Sequence, residues 1–218
     1  MKGVILDFDT IGPDDLDTSI LLSLPISWQI YGNTSFNEVN ERIRYADVVL
    51  TNKVELSNEN IKQAVNLKLI GLFATGTNII DLEAASDKNI CVSNAVAYCT
   101  DSVVQHVWAL ILALTTRIFD YSQAATDGRW ERSNSFCVMD YSVKELAGKT
   151  LGVVGAGELG RAVASVGLAF GMNVKYALFP ERHSFSHDNR LEFKALLQQS
   201  DIVSLHCPLT KDLSLIHI

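Results

Sequence analysis

The residues best spaced for chemistry are three glycines, Gly155, Gly157 and Gly160, in the stretch Thr150 to Ala177, TLGVVGAGELGRAVASVGLAFGMNVKYA. G-x-G-x-x-G after an apolar run and before a helical pattern is the spacing of a loop that holds the pyrophosphate of a dinucleotide. Gly155 permits a tight turn out of the strand, Gly157 removes a side chain where phosphate must approach the backbone, and Gly160 lets the helix lie close on the sheet. Glu158 and Leu159 complete the loop. The free N–H groups and positive dipole end of the following helix favour an anion there, so no lysine is required.

Other polar groups carry weaker signals. Ala74-Thr75-Gly76-Thr77-Asn78 follows a strand candidate at its carboxyl end, where open α/β sheets hold ligands. Its N–H groups suit an anion-binding nest, and the alternative is a plain strand-to-helix connection. His183 and His187 stand four apart but have no convincing third ligand, so no metal site is expected. His106 sits among apolar neighbours in a helical pattern and reads as a hydrogen-bonded core residue. Cys91, Cys99, Cys137 and Cys207 lack C-x-x-C spacing and read as buried small hydrophobes, with no disulfide framework.

The elements that must position these groups are legible as periodicity. Leu151 to Val154 reads as a strand buried on both faces, followed by the glycine turn, a helix carrying Ala162, Val163, Val166, Leu168, Ala169 and Phe170, and a second strand. The acid expected at the tip of that second strand is replaced by Leu178. Upstream, Val4 to Leu6, Trp28 to Tyr31, Val48 to Thr51, Leu67 to Phe73 and Ile90 to Val92 are strand candidates. Helical stretches alternate with them, among them Phe36 to Ile43 opened by Ser35 and Asn58 to Val65 with Ser57 as N-cap. Such alternation predicts an α/β fold with parallel sheets, in two domains. Thr100 to Ile118 reads as a long helix, apolar nearly all round and therefore buried between layers, of a length suited to crossing between domains. Phe119 to Leu146 is irregular and aromatic, and an arm of this kind often packs on another subunit. Phe179 to Asn189 reads as a polar loop, Leu191 to Leu197 as a short helix, and Asp201 to His206 as a strand.

Composition excludes several function classes. A net charge of −7 over 218 residues offers no electrostatic footprint for nucleic acid. Asp7 and Asp9 arrive too early for a secretory signal, and Val107 to Leu114 is far short of the roughly 20 apolar residues of a membrane span, so a cytoplasmic location without membrane association is expected.

Taken together, these residues resemble the D-isomer-specific 2-hydroxyacid dehydrogenases, and within them the glycerate dehydrogenase or hydroxypyruvate reductase group. The markers are Leu69-Ile70 through Thr77, Val92-Ser93-Asn94 through Thr100-Asp101-Ser102-Val103, Asp127-Gly128-Arg129-Trp130, Leu146 to Thr150, the glycine motif, and Ser204-Leu205-His206-Cys207-Pro208-Leu209-Thr210. The resemblance implies a flavodoxin-like substrate domain over residues 1–98 and a Rossmann NAD(P)-binding domain over 99–218, with a dimerisation arm at 119–146. Both domains are expected to be incomplete at their C-terminal ends, the chain reading as a fragment of a longer enzyme. By the same resemblance, Thr75, Gly76 and Thr77 hold the carboxylate of a small 2-hydroxy or 2-oxo acid, and Thr100 lies beside the nicotinamide. Gly155, Gly157, Glu158, Leu159 and Gly160 hold the pyrophosphate of NAD or NADP. Leu178 stands at the ribose, and His206, Cys207, Pro208, Leu209 and Thr210 wall the adenosine half. The family's catalytic arginine, glutamate and histidine match no position up to Ile218, and neither Arg129 nor His206 takes their place. Gln105 stands where glutamate is common. A homodimeric oxidoreductase of CH–OH groups is implied, with this chain inactive by itself. A non-catalytic nucleotide-binding or partner-binding module of the same fold is the alternative.

Overall fold

The computed structural model describes residues 1–12, 16–178 and 190–207, and the chain separates into two compact units, Met1–Tyr98 and Cys99–Ile218. In the first, strands β1 (Lys2–Ile5), β2 (Ser27–Ile30), β3 (Val48–Thr51), β4 (Leu69–Leu72) and β5 (Cys91–Asn94) form a parallel sheet in the order β2-β1-β3-β4-β5. This is the flavodoxin-like order, and its direction reverses between β1 and β3. Helix α1 (Ser19–Leu22) stands beside β2, where Trp28 Nε1 donates to the Leu21 carbonyl at 3.2 Å. One sheet face carries Val4, Val49, Ile70 and Leu72, which join Val39 and Ile43 of α2 (Val39–Ile43), Ile61 of α3 (Asn58–Gln63) and Ala84 and Ala85 of α4 (Leu82–Asp87) in a single core.

Local chemistry sets the helix starts. Asn60 Oδ1 accepts from the Ser57 N–H at 2.9 Å while the Asn60 N–H donates to Ser57 Oγ at 3.4 Å, a reciprocal cap for α3. The Ser35 N–H donates to the Glu38 carboxylate at 2.9 Å, but Phe36–Glu38 forms a 3-10 turn, so only Val39–Ile43 of the expected helix is α-helical.

The second unit begins with α5 (Thr100–Thr116) and α6 (Ile118–Thr126) and is built on β6 (Thr150–Val154), α7 (Glu158–Ala169), β7 (Asn173–Ala177), β8 (Arg190–Leu191), α8 (Phe193–Gln199) and β9 (Ile202–Leu205). All pairings are parallel, in the order β8-β7-β6-β9. This is a Rossmann order whose reversal lies between β6 and β9. Strand β6 is buried on both faces: Leu151 and Val153 pack with Trp108 and Val163, and Val154 packs with Leu196 of α8. Trp108 Nε1 also donates to the Val163 carbonyl at 3.1 Å, pinning α5 on α7.

Several expectations need correction. The long helix stops at Thr116, because Arg117 takes a left-handed φ of 56°, and the chain bends by 62° into α6. The arm expected to be irregular from Phe119 is therefore helical to Thr126, with Ala124 buried. Helix α5 is not buried all round. Its Val104, Val107, Trp108 and Ile111 side meets the core, whereas Leu110 and Leu114 are 52% and 77% exposed, since a single packed face covers one stripe. His106 lies off that stripe and is exposed rather than a core residue. No cysteine among the four is fully buried, and Cys91, paired in register with Leu69 on the sheet face opposite Ile70, is exposed. Leu191 belongs to β8, and the helix after it starts at Phe193. The expected loop Phe179 to Asn189 and the tail Lys211 to Ile218 lie outside the described residues. Among the described residues no single helix is long and apolar enough to cross a membrane.

Candidate functional site

At the end of β6 the chain turns through Gly155, whose φ of +105° is one that side chains rarely adopt. A Cβ there would lie 2.3 Å from the His206 carbonyl oxygen and 2.8 Å from the Cys207 nitrogen, so the loops after β6 and β9 meet backbone to backbone at the reversal of strand order. A Cβ on Gly160 would lie 1.9 Å from the Gly155 carbonyl oxygen, while a Cβ on Gly157 would meet nothing within 4 Å among the described residues. The protein's own packing thus demands two of the three glycines. Gly157 instead leaves open space at the N-cap of α7, a helix of 12 residues with no side chain capping its first turn. The Glu158 and Leu159 N–H groups stand in that turn. A pyrophosphate fits such a cradle, being an anion that takes up free N–H groups at a dipole's positive end.

The side chains around the loop are polar and tied. Thr100 Oγ1 donates to Glu158 Oε1 at 2.5 Å, joining the first residues of α5 and α7. Arg161, one residue past the last motif glycine, donates from Nη1 to the Ala156 carbonyl at 2.9 Å. The motif alone passes over this arginine, and its place in the first helical turn is the signal that could have found it. Leu178 directly follows β7 and is 36% exposed, its N–H held by the Leu191 carbonyl at 2.7 Å. Burial pushes the Tyr176 hydroxyl of β7 up, against the opposing fields of Arg161 and Arg190. Ser204 Oγ and His206 Nε2 are 2.8 Å apart, and burial holds the His206 imidazole below its usual pKa. Pro208, Leu209 and Thr210 lie outside the described residues, as do Glu181, Arg182, His183 and His187.

In the first unit, Thr75 and Gly76 are exposed and Thr77 is half-buried, in the loop after β4. Among the described residues the N–H groups of these three make no hydrogen bond, while Asn94 Nδ2 donates to the Thr75 carbonyl at 2.7 Å and the Ile80 N–H to the Thr77 carbonyl at 3.0 Å. No residue from 74 to 78 has a positive φ. The loop is therefore an open run of donors without a left-handed residue. Arg129 is ion-paired to Asp140 at 3.3 Å and Asp127 at 3.7 Å. Among the described residues no three His, Cys, Asp or Glu side chains converge to hold a metal ion.

Residues 108–216 match the family model described as D-isomer specific 2-hydroxyacid dehydrogenase, NAD binding domain. The chain belongs to this family. Over 214 residues it is 36% identical to a hydroxypyruvate reductase of Blautia hydrogenotrophica, a match covering 96% of this chain and 66% of that protein. Over 202 residues it is 35% identical to a glycerate dehydrogenase of Methylorubrum extorquens, covering 91% of this chain and 62% of that protein. The crystal structure of D-lactate dehydrogenase from Aquifex aeolicus complexed with NAD and lactic acid superposes with a TM-score of 0.77 at 29% identity, covering 97% of this chain and 62% of the other. The chain thus spans slightly less than two thirds of the length of these D-2-hydroxyacid dehydrogenase relatives. The family's NAD binding domain contains the whole glycine loop and Leu178, while Thr75 to Thr77 lie upstream of the matched residues and Thr100 just outside them.

Proposed function

We propose that the protein carrying this chain is a cytoplasmic, homodimeric NAD(P)-dependent oxidoreductase of a small D-2-hydroxy acid, of the glycerate, hydroxypyruvate or glyoxylate kind. The observation that carries this is the contrast within the motif among the described residues: Gly155 and Gly160 are filled by protein, whereas Gly157 faces open space at a helix N-terminus with no side-chain cap. When bound, the nicotinamide supplies a hydride acceptor or donor. The chain's own residues bind and orient. N–H groups of Glu158 and Leu159 hold the pyrophosphate, Thr100 borders the nicotinamide, and His206 and Cys207, continued by Pro208, Leu209 and Thr210, wall the adenosine. The unpaired N–H groups of Thr75, Gly76 and Thr77 hold the substrate carboxylate.

The arginine, glutamate and histidine that the family uses to polarise the carbonyl and exchange the proton have no matching positions in these 218 residues, so binding is the readout. Titration with NADH, followed by fluorescence, is expected to saturate for the parent. Gly157→Ala, whose added methyl meets no atom of the described residues, is expected to weaken binding by about tenfold or more with an unchanged circular dichroism spectrum. A parent that binds no nucleotide at millimolar NADH overturns the proposal. Support for the dimer comes from apolar side chains left uncovered on α5, α6 and the arm, with Leu114 77%, Phe119 76%, Trp130 51% and Phe136 92% exposed.

A further inference from the structure

Asp7, two residues past the end of β1, is 1% exposed and is the one fully buried charged side chain among the described residues. No ion pair there includes it. Its carboxylate instead accepts from three successive backbone N–H groups: Asn52 at 2.9 and 3.1 Å, Lys53 at 2.6 Å and Val54 at 3.2 Å. Asn52 Nδ2 then reaches across to the carbonyl and Oγ1 of Thr10, at 3.1 and 3.0 Å. Converging N–H groups at the end of a strand form the type of site that binds a phosphate or carboxylate ligand. They sit at the β1/β3 reversal, where doubly wound sheets hold ligands. Here the anion belongs to the chain itself.

We infer that Asp7 is an internal anion that fills this crevice, fixes the loop Asn52–Val54, and through it acts as the positioning residue for the Thr75–Thr77 loop. The two loops are laced at both ends. The Phe73 N–H donates to the Thr51 carbonyl at 2.9 Å, the Leu56 N–H to the Ile79 carbonyl at 2.9 Å, and the Asp81 N–H to the Leu56 carbonyl at 3.1 Å. Within the loop only carbonyls are held, Thr75 by Asn94 Nδ2 and Thr77 by the Ile80 N–H, so the position of its two ends comes from the neighbour they are stitched to. Burying a lone carboxylate is costly, and its charge-assisted hydrogen bonds to the loop offset that cost, so loop and carboxylate fix each other. The link to substrate rests on the carboxylate-binding reading of Thr75–Thr77 proposed above.

Amide hydrogen exchange on the full chain tests this, with formate as the probe. Asp7→Ala leaves the Asn52 and Lys53 N–H groups without an acceptor, and a space of carboxylate size, while the Val54 N–H keeps Thr51 Oγ1 at 3.1 Å. The Asn52 and Lys53 amides are expected to exchange about 100-fold faster, and those of Val54, Leu56 and Asp81 about tenfold faster, with Val153 unchanged. Formate at tens of millimolar, measured against chloride at equal ionic strength, is expected to return most of that protection, a rescue that a merely space-filling residue would not show. Should Asp7→Ala not fold, Asp7→Asn takes its place: its amide fills the space, keeps one acceptor oxygen and sets its NH2 group against a backbone N–H, so the same amides exchange faster by a smaller factor and formate has no effect. Parental exchange at both Asn52 and Lys53 in either variant overturns the inference, as does a folded Asp7→Ala that ignores formate. Oxalate titrated into the parent reads the other loop separately. Absence of shifts at Thr75–Thr77 fails the carboxylate-binding reading, while the exchange rates, measured without ligand, still decide the role of Asp7.

Discussion

At the residue scale, the three motif glycines have separable roles. Gly155→Ala and Gly160→Ala force a Cβ to within 2.3 and 1.9 Å of backbone oxygens, so each is expected to cost about 1–3 kcal/mol of stability in urea denaturation, in contrast to Gly157→Ala at within about 0.5 kcal/mol of parent. Leu178 offers no acceptor to ribose hydroxyls and no charge against a 2′-phosphate, so NAD and NADP are expected to bind with similar affinity. Leu178→Asp should shift the preference toward NAD in calorimetric titrations, and a parent already strongly selective for NAD would assign that discrimination to another group. His206 gives a pH prediction with a definite sign. Burial lowers its folded pKa below 6.5, so as pH falls through 6.5 the unfolded chain takes the proton first. Its contribution is present above that pH and lost below it. Urea midpoints should therefore fall from pH 7 to pH 5, with a shallower fall for His206→Gln. The depressed carboxylates lose their contribution at lower pH: Asp201, lowered chiefly by the Thr150 N–H, and Asp47, lowered chiefly by its Lys68 hydrogen bond, both start from 3.8.

At the element scale, α5 has two apolar faces with different partners. One holds Trp108, stacked on Phe170 with ring centroids 5.0 Å apart and bonded to α7. The other presents Leu110 and Leu114 to solvent, and past the bend at Arg117 Ile118 and Phe119 are also 54% and 76% exposed. An apolar face of this extent is costly to leave wet, which supports its burial against a second copy. Sedimentation equilibrium is expected to show a dimer for the parent. Leu114→Glu should give a monomer with unchanged secondary structure, and Trp130→Ala a weakened dimer. A monomeric parent at high concentration removes the dimer from the proposal.

At the scale of the whole molecule, the two units have separate cores, one built around Val49 and Ile70 and the other around Leu151 and Val153. Ligand that binds one folded unit stabilises that unit by mass action, by about 2.7 kcal/mol at a hundred times Kd. NADH is therefore expected to slow amide exchange in β6, α7 and β9 while leaving β1, β3 and β4 at their free rates. Equal protection of both sheets would mean that nucleotide binding is not confined to the glycine loop.

What the sequence determined by itself is what depends on neighbours in the chain. Strand alternation, the Ser57 cap and the G-x-G-x-x-G turn are local patterns, because backbone conformation and helix capping are set within a few residues. Periodicity also marked α5 as apolar, but which of its faces would be covered depends on α7, more than forty residues away. His106 lies on an uncovered side for that reason, and the exposure of Cys91 follows from which face of its sheet is covered, which strand periodicity does not specify. The helix α6 was hidden by one left-handed residue, Arg117, whose conformation no spacing rule announces. Asp7 looked only like an early charge. Its role comes from hydrogen bonds spanning 45 to 47 residues of sequence, formed when β1 and β3 pair side by side. Tertiary structure alone made that carboxylate an internal ligand, because removing an ion from water is tolerable only where folding has already gathered the donors to meet it.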